Sequence, residues 1–90
     1  MKRAHLIVSG RVQGVWFRDT TNKVASKLGL KGFVRNLPDG NVEVIAEGNE
    51  EKIKKLVKFC HDGPEHADVN NVDISYEDSK DEFTTFSIRF

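Results

Sequence analysis

The sequence has little of several features that define other classes of protein. Its 90 residues include one cysteine, so no internal disulfide can form, and such cysteine usage predicts a reducing compartment such as the cytoplasm. No apolar run approaches the roughly 20 residues needed to cross a bilayer. The apolar run after the charged start, Met1–Arg3, ends at Ser9, which is too short for a signal peptide. We therefore expect a cytoplasmic protein that does not contact membranes.

An excess of charge is also missing. Fourteen Lys and Arg residues balance fourteen Asp and Glu residues, whereas proteins that hold long nucleic acids through bulk charge are usually basic. The hydrophobic fraction of 38% is too high for a disordered chain, and the length suffices for one core. We expect one domain spanning residues 1–90, with no nucleic-acid partner, and a monomer because nothing in the sequence demands an oligomer.

The hydrophobic patterns that are present predict an alternation of strands and helices. Pro38-Asp39-Gly40 separates two β-rich runs and predicts a tight hairpin turn. Asp19 or Thr20 can cap the first helix, and Asn49 can cap the second. The predicted elements are a strand at 4–9, a helix ending before Gly29, strands at 32–37 and 41–47, a helix at 50–62, a strand at 69–77 and a short run at 86–90.

This βαββαβ order with a short extra strand is typical of a ferredoxin-like fold. Split βαβ units place an antiparallel sheet against two helices on one of its faces, and right-handed crossovers leave few other topologies. The predicted fold class is therefore α+β, a two-layer ferredoxin-like sandwich.

The segment Gly10–Arg18, with sequence GRVQGVWFR, joins the first strand to the first helix. A glycine-containing loop before a helix start can direct successive backbone N–H groups at an anion, and Arg18 lies where its guanidinium could close over the same ligand. The segment matches neither the Walker A pattern nor the dinucleotide-binding fingerprint. From the loop alone, a phosphate-sized anion site and a plain tight connection are about equally favoured.

Asn36 lies near the end of its strand, on the same strand face as Val34. Its neutral amide offers both a donor and an acceptor, which suits holding a water molecule in line with phosphorus better than abstracting a proton. The alternative is a turn asparagine that bonds its own backbone ahead of Pro38.

Two segments together resemble the signatures of a known family. The Gly10–Arg18 segment resembles the first signature of the acylphosphatases, and Gly32–Asn36 with Asp39–Val44 resembles the second. The similarity covers nearly the whole chain. Phe33 and Leu37 depart from the family pattern, where Trp and Thr are frequent, and Glu65-His66 varies the loop after Gly63-Pro64.

The resemblance implies a ferredoxin-like enzyme that hydrolyses acyl phosphates without a metal or other cofactor. It implies that Arg18 binds the substrate phosphate and that Asn36 positions the attacking water. It also implies a loop that binds the phosphate through backbone N–H groups. This loop comprises Gln13, Gly14, Val15, Trp16, Phe17 and Arg18. Inorganic phosphate is then the product and a competitive ligand.

The chemistry of such a substrate agrees with so small a set of side chains. An acyl phosphate expels a carboxylate whose conjugate acid has a pKa of roughly 4, so the leaving group needs no general acid. Phosphoryl transfer depends mainly on positioning and on stabilising charge at the equatorial oxygens.

Two other functions remain open at this point. A domain that binds phosphate without hydrolysis would share the anion site. An RNA-recognition module shares the element order, and Lys31-Gly32-Phe33 matches the start of its main motif, but Arg35 then takes an aromatic position.

Other reactive side chains carry weaker signals. Cys60 falls on the apolar stripe of the second helix, which predicts a core residue and not a nucleophile. Trp16 is expected to be partly exposed beside the anion site. Potential metal ligands cluster in a polar segment without a recognised spacing, so we predict no metal site there; they are His61, Asp62, Glu65, His66 and Asp68.

Overall fold

The computed structural model describes residues 1–90 and contains five strands and two helices. Each predicted element is present, and the predicted βαββαβ order with an extra strand is confirmed. Their bounds are β1 Lys2–Arg11, α1 Phe17–Lys27, β2 Lys31–Asn36, β3 Val42–Gly48, α2 Glu50–Asp62, β4 Asp68–Asp78 and β5 Phe86–Arg89. Neither helix is both long and apolar enough to span a membrane.

All five strands form one sheet in the order β4-β1-β3-β2-β5. β1 is an interior strand that pairs antiparallel with β3 and β4, and β2 pairs antiparallel with β3. The last strand differs from the expected antiparallel arrangement, because β5 pairs parallel to β2. The connection after β4 reverses the chain direction and carries it to the opposite edge of the sheet, so the sheet is mixed.

The core lies between the sheet and the helices. Ala4, Leu6 and Val8 alternate along β1 and are fully buried, as period-2 patterning predicts for one face of a strand. They belong to one cluster of 16 buried residues that includes Phe17 and Ala25 of α1 and residues of α2. Complete burial of a side chain such as Leu or Phe stabilises the fold by about 1.5–3 kcal/mol. The residues that α2 contributes are Ile53, Leu56 and Cys60.

The two helices begin differently. Asn49 caps α2 as predicted, since its side-chain oxygen accepts a hydrogen bond from the N–H of Glu51 at 2.8 Å. The predicted cap of α1 at Asp19 or Thr20 is wrong: the helix begins at Phe17, and Trp16 takes the N-cap position without a side-chain cap. Burial of Phe17 pulls the first turn into the core, and packing outweighs the local capping preference.

The end of β1 is shaped by a glycine. The register with β4 shifts between Ser9 and Gly10, and Gly10 has a φ of 119°. A Cβ atom at Gly10 would lie 2.2 Å from the carbonyl oxygen of Asp68, which no side chain tolerates. The strand continues past this irregularity to Arg11, and the loop that leads to α1 begins after it.

Candidate active site

The loop between β1 and α1 contains backbone donors that have no partner in the chain. No N–H group from Gln13 to Trp16 donates a backbone hydrogen bond, and the first helical bond runs from the N–H of Thr20 to the carbonyl of Trp16 at 3.0 Å. Gly14 and Trp16 both adopt left-handed conformations, with φ of 73° and 66°. A backbone of this kind can turn successive N–H groups toward a common point, which is the geometry that anion-binding loops use.

Arg18 lies in the first turn of α1, directly after this loop. Its side chain forms no ion pair within the protein, in contrast to Arg3 and Arg35. The guanidinium lies over the ring of Phe90, with 4.9 Å between Cζ and the ring centroid. The stacking orients the guanidinium while its N–H donors stay available to an anion.

Asn36 is the last residue of β2 and lines the same cleft as Arg18. Its Oδ1 atom is buried and accepts no hydrogen bond. The local turn bond considered as an alternative is made by Asp39 instead, whose side chain accepts from the N–H of Asn41 at 3.0 Å. Two further buried oxygens without a donor belong to Thr21 and Asn22 on α1, outside the cleft lining. Asn36 therefore lines the cleft, and its buried Oδ1 is an acceptor that no donor of the chain satisfies.

The side chain of Gln13 has a structural role that the sequence analysis did not predict. Its side-chain amide donates to the carbonyl of Leu37 at 2.8 Å and to that of Asn41 at 2.9 Å. These two carbonyls flank the turn that follows Asn36, so one side chain connects the β1–α1 loop to the β2–β3 hairpin. Val15 and Phe17 are buried in the core and hold the loop from the other side.

The cleft has a volume of ≈ 380 Å³. Of the predicted site residues, it brings together Gly14, Trp16, Phe17, Arg18 and Asn36, while Gln13 and Val15 support it from behind. The lining also includes residues that were not predicted, which are Val12, Asp19, Ile88 and Phe90. The alternation along the final run indicated that Ile88 and Phe90 share one face of a strand. Nothing in the sequence indicated that this strand, β5, would pair with β2 and so bring them to the cleft.

Other reactive groups lie away from the cleft. Burial raises the pKa of the Cys60 thiol to about 12, as expected of a core residue and not of a nucleophile. No group of three or more His, Cys, Asp or Glu side chains is arranged to hold a metal ion.

Comparison with known proteins assigns the family. The acylphosphatase family model matches residues 4–88. The chain belongs to the acylphosphatase family. An acylphosphatase of Methylococcus capsulatus is 49% identical over 88 residues, which cover 98% of this chain and 96% of that protein. The family resemblance of the two sequence segments is thereby confirmed.

Solved acylphosphatase structures have the same fold. The crystal structure of acylphosphatase from Bacillus subtilis superposes with a TM-score of 0.96 at 36% identity, covering 100% of both chains. A structure from Coxiella burnetii gives a TM-score of 0.92 at 39% identity and covers 98% of this chain and 92% of that chain. The predicted ferredoxin-like fold is confirmed.

The departures from the acylphosphatase pattern at Phe33, Leu37 and Glu65-His66 do not fall on residues that line the cleft. Phe33 lies on the sheet face opposite the core, where its ring contacts Phe83 at 5.9 Å between centroids and the Arg89 guanidinium at 4.0 Å. Leu37 takes part through its backbone carbonyl, which accepts from Gln13 whatever the side chain. Neither substitution changes the side chains that line the cleft.

Proposed function

We propose that this member of the acylphosphatase family hydrolyses acyl phosphates to a carboxylate and inorganic phosphate. The observation that carries the proposal is one cleft that is lined by Arg18, whose guanidinium has no ion pair, by residues of the loop with free N–H groups, and by Asn36, whose Oδ1 has no donor. In the proposed mechanism Arg18 and the Gln13–Arg18 backbone hold the phosphoryl group, and Asn36 positions the attacking water.

Transfer of the phosphoryl group depends more on stabilising its charge than on acid–base or covalent catalysis. A guanidinium presents a planar fork of donors that matches two phosphate oxygens, and the backbone N–H groups of the loop supply further donors. These groups stay fixed while charge redistributes over the equatorial oxygens, which lowers the barrier without reorganisation.

Asn36 then orients the nucleophile. Its side-chain amide hydrogen-bonds the water, and the water oxygen attacks phosphorus on the side opposite the leaving carboxylate. The new P–O bond forms as the bond from phosphorus to the acyl oxygen breaks. The carboxylate departs with the bonding electron pair, and both water protons remain on the product as dihydrogen phosphate, so no step needs a general acid or a metal.

The central test replaces Arg18. We expect Arg18→Ala to lower kcat/KM for benzoyl phosphate by about 10³-fold or more, because the substrate phosphate loses its only side-chain cation in the cleft. Release of benzoate is measured with a metal chelator present, and thermal unfolding confirms that the variant folds.

Arg35→Ala is the matched control. Arg35 is the neighbour of Asn36 on β2 but pairs with Glu43 on the opposite sheet face, so its loss should leave turnover unchanged. Hydrolysis by Arg18→Ala within tenfold of the native rate would refute the mechanism. A phosphate-dependent thermal shift without turnover in the native protein would instead indicate a binding domain, and retention of single-stranded RNA on a filter would indicate an RNA-recognition module.

We further propose that the chain acts as a single-domain monomer in the cytoplasm, with no metal, cofactor or nucleic-acid partner. The balanced charge and the single core cluster support this assignment. Light scattering at working concentration tests the monomer directly, and a mass near 20 kDa in place of the chain mass of 10.2 kDa would contradict it.

A further inference from the structure

Trp16 occupies a position that packing does not explain. Its side chain is 74% exposed, although tryptophan buries more apolar surface than other residues when it packs into a core. Its φ of 66° lies in the left-handed region, which is unfavourable for a bulky residue. A strained, exposed aromatic at the mouth of a cleft indicates a ligand contact more than a contribution to the fold.

Phe90 is a second exposed aromatic on the same cleft. It is fully exposed, and its ring lies beneath the Arg18 guanidinium. Ile88 comes two residues earlier and also lines the cleft, so an apolar surface adjoins the cation. The proposed phosphate position therefore has aromatic and aliphatic neighbours, and the charged lining residues are confined to Arg18 and Asp19.

The cleft is also larger than its polar part requires. Its volume of ≈ 380 Å³ falls within the range of pockets that enclose small organic molecules, whose walls are mostly apolar with a few polar groups that fix orientation. A phosphate held by the loop and Arg18 would leave the aromatic part of the cleft for the rest of the substrate.

We propose that Trp16 and Phe90 form an apolar subsite for the acyl group, and that it selects acyl phosphates with a flat apolar acyl group over short ones. This inference rests on the proposed function, because it assigns the second half of the same substrate. The phosphoryl end binds to Arg18 and the loop, and the acyl end lies against the aromatic rings.

Binding of two phosphonates tests the subsite without turnover. Benzylphosphonate carries a flat apolar group, and methylphosphonate does not. Calorimetry should show benzylphosphonate binding about tenfold tighter than methylphosphonate to the native protein, since the ring gains apolar contact and aromatic stacking. In Trp16→Ala the ratio of the two Kd values should fall to within about twofold of unity. The ratio cancels any general loosening of the loop that weakens both ligands.

Companion variants separate the subsite from folding effects. Trp16→Phe should retain most of the selectivity, because it keeps an aromatic face. Phe90→Ala should lower the selectivity partially. Tyr76→Ala is the matched control, since Tyr76 is an exposed aromatic on β4 outside the cleft, and its ratio should equal that of the native protein. An unchanged ratio in both Trp16→Ala and Phe90→Ala would overturn the proposal.

Turnover distinguishes this inference from the proposed function. We expect Trp16→Ala to lower kcat/KM about tenfold more for benzoyl phosphate than for acetyl phosphate, relative to the native enzyme. If the protein binds benzylphosphonate more tightly than methylphosphonate but hydrolyses neither substrate, the subsite proposal stands and the proposed hydrolase function is refuted. If both substrates are hydrolysed and neither Trp16→Ala nor Phe90→Ala loses benzoyl phosphate turnover selectively, the hydrolase function stands and the subsite proposal is refuted.

Discussion

Asn36 holds a buried acceptor that the protein leaves without a donor. A buried oxygen in this state costs about 1–3 kcal/mol of stability, which a fold tolerates where the atom has another use. The same cost arises at Asn22, which does not line the cleft. The missing donor alone therefore does not identify a functional residue, and it is the shared cleft with Arg18 that singles out Asn36.

At the scale of this residue we predict that Asn36→Ala lowers kcat by about 10²–10³-fold, because the water loses its orienting acceptor. The Kd for inorganic phosphate should stay within about threefold, since Arg18 and the loop remain. Asn36→Asp should weaken phosphate binding as well, because it places a negative charge beside the anion. Steady-state kinetics and calorimetry with phosphate measure both effects.

Asn22→Ala is the control for this prediction. It removes the same side-chain type with the same unpaired oxygen, but from α1 outside the cleft, and should leave kcat unchanged. If Asn36→Ala and Asn22→Ala gave equal kcat values, the water-positioning role would be wrong.

At the scale of elements, the site depends on how a loop and a hairpin are joined. The β1–α1 loop follows β1, Asn36 ends β2, and the side chain of Gln13 connects the two through the carbonyls of Leu37 and Asn41. A neutral hydrogen bond contributes about 0.5–1.5 kcal/mol to stability, so the two hydrogen bonds that Gln13 donates also stabilise the fold.

We predict that Gln13→Ala destabilises the protein by about 1–3 kcal/mol and lowers kcat/KM about tenfold, because the loop and Asn36 lose their fixed separation. Gln13→Glu should be at least as damaging, since a carboxylate cannot donate to either carbonyl. Urea denaturation and benzoyl phosphate kinetics measure the two effects.

Asn41→Ala serves as the comparison for Gln13→Ala. The Asn41 side chain bonds only to Asp39 within the turn, and the carbonyl that accepts from Gln13 is retained. Its activity should therefore match that of the native protein, and equal activity of Gln13→Ala would show that the connection does not support the site.

The start of α1 shows where element prediction from sequence succeeds and fails. The helix, its apolar face and its end before Gly29 follow from local periodicity and a left-handed glycine, whose φ is 74°. The first residue of the helix does not follow from these local signals, because burial of Phe17 competes with the capping preference of Asp19 or Thr20. Local signals place an element, whereas contacts with the core set its boundary.

At the scale of the whole molecule, the sheet face opposite the helices carries ion pairs that join its strands. Glu43 of β3 contacts His5 of β1 at 2.8 Å and also pairs with Arg35 of β2. Burial raises the pKa of Glu43, but hydrogen bonds and charge from His5 and Arg35 outweigh it, so the net pKa lies below the ordinary value of 4.5.

A lowered carboxyl pKa stabilises the fold at neutral pH and loses that effect in acid. The unfolded chain binds more protons than the folded chain between the two pKa values, so stability falls as the pH drops below about 4.5 and through the lower folded value. We predict that Glu43→Gln is less stable than the native protein at pH 7 and that the difference shrinks as the pH falls below 4.5 and through the lowered pKa of Glu43.

Urea denaturation across this pH range measures the effect on the free energy of unfolding. Glu65→Gln is the control, because Glu65 is exposed and forms no ion pair in the structure, and its pH profile should parallel that of the native protein. A Glu43→Gln profile that runs parallel to the native one throughout would contradict the assignment.

The sequence by itself determined the order of elements and the hairpin turn, and two of its segments carry the resemblance to the acylphosphatases from which Arg18 and Asn36 were proposed as site residues. These depend on short-range properties, namely periodicity, turn residues and two contiguous segments. Tertiary structure decided what those segments meet. Gln13 bonds carbonyls 24 and 28 positions away, and β5 pairs parallel to β2 and brings Phe90 to Arg18. Such contacts follow from how the whole chain packs around one core, and no local pattern encodes them.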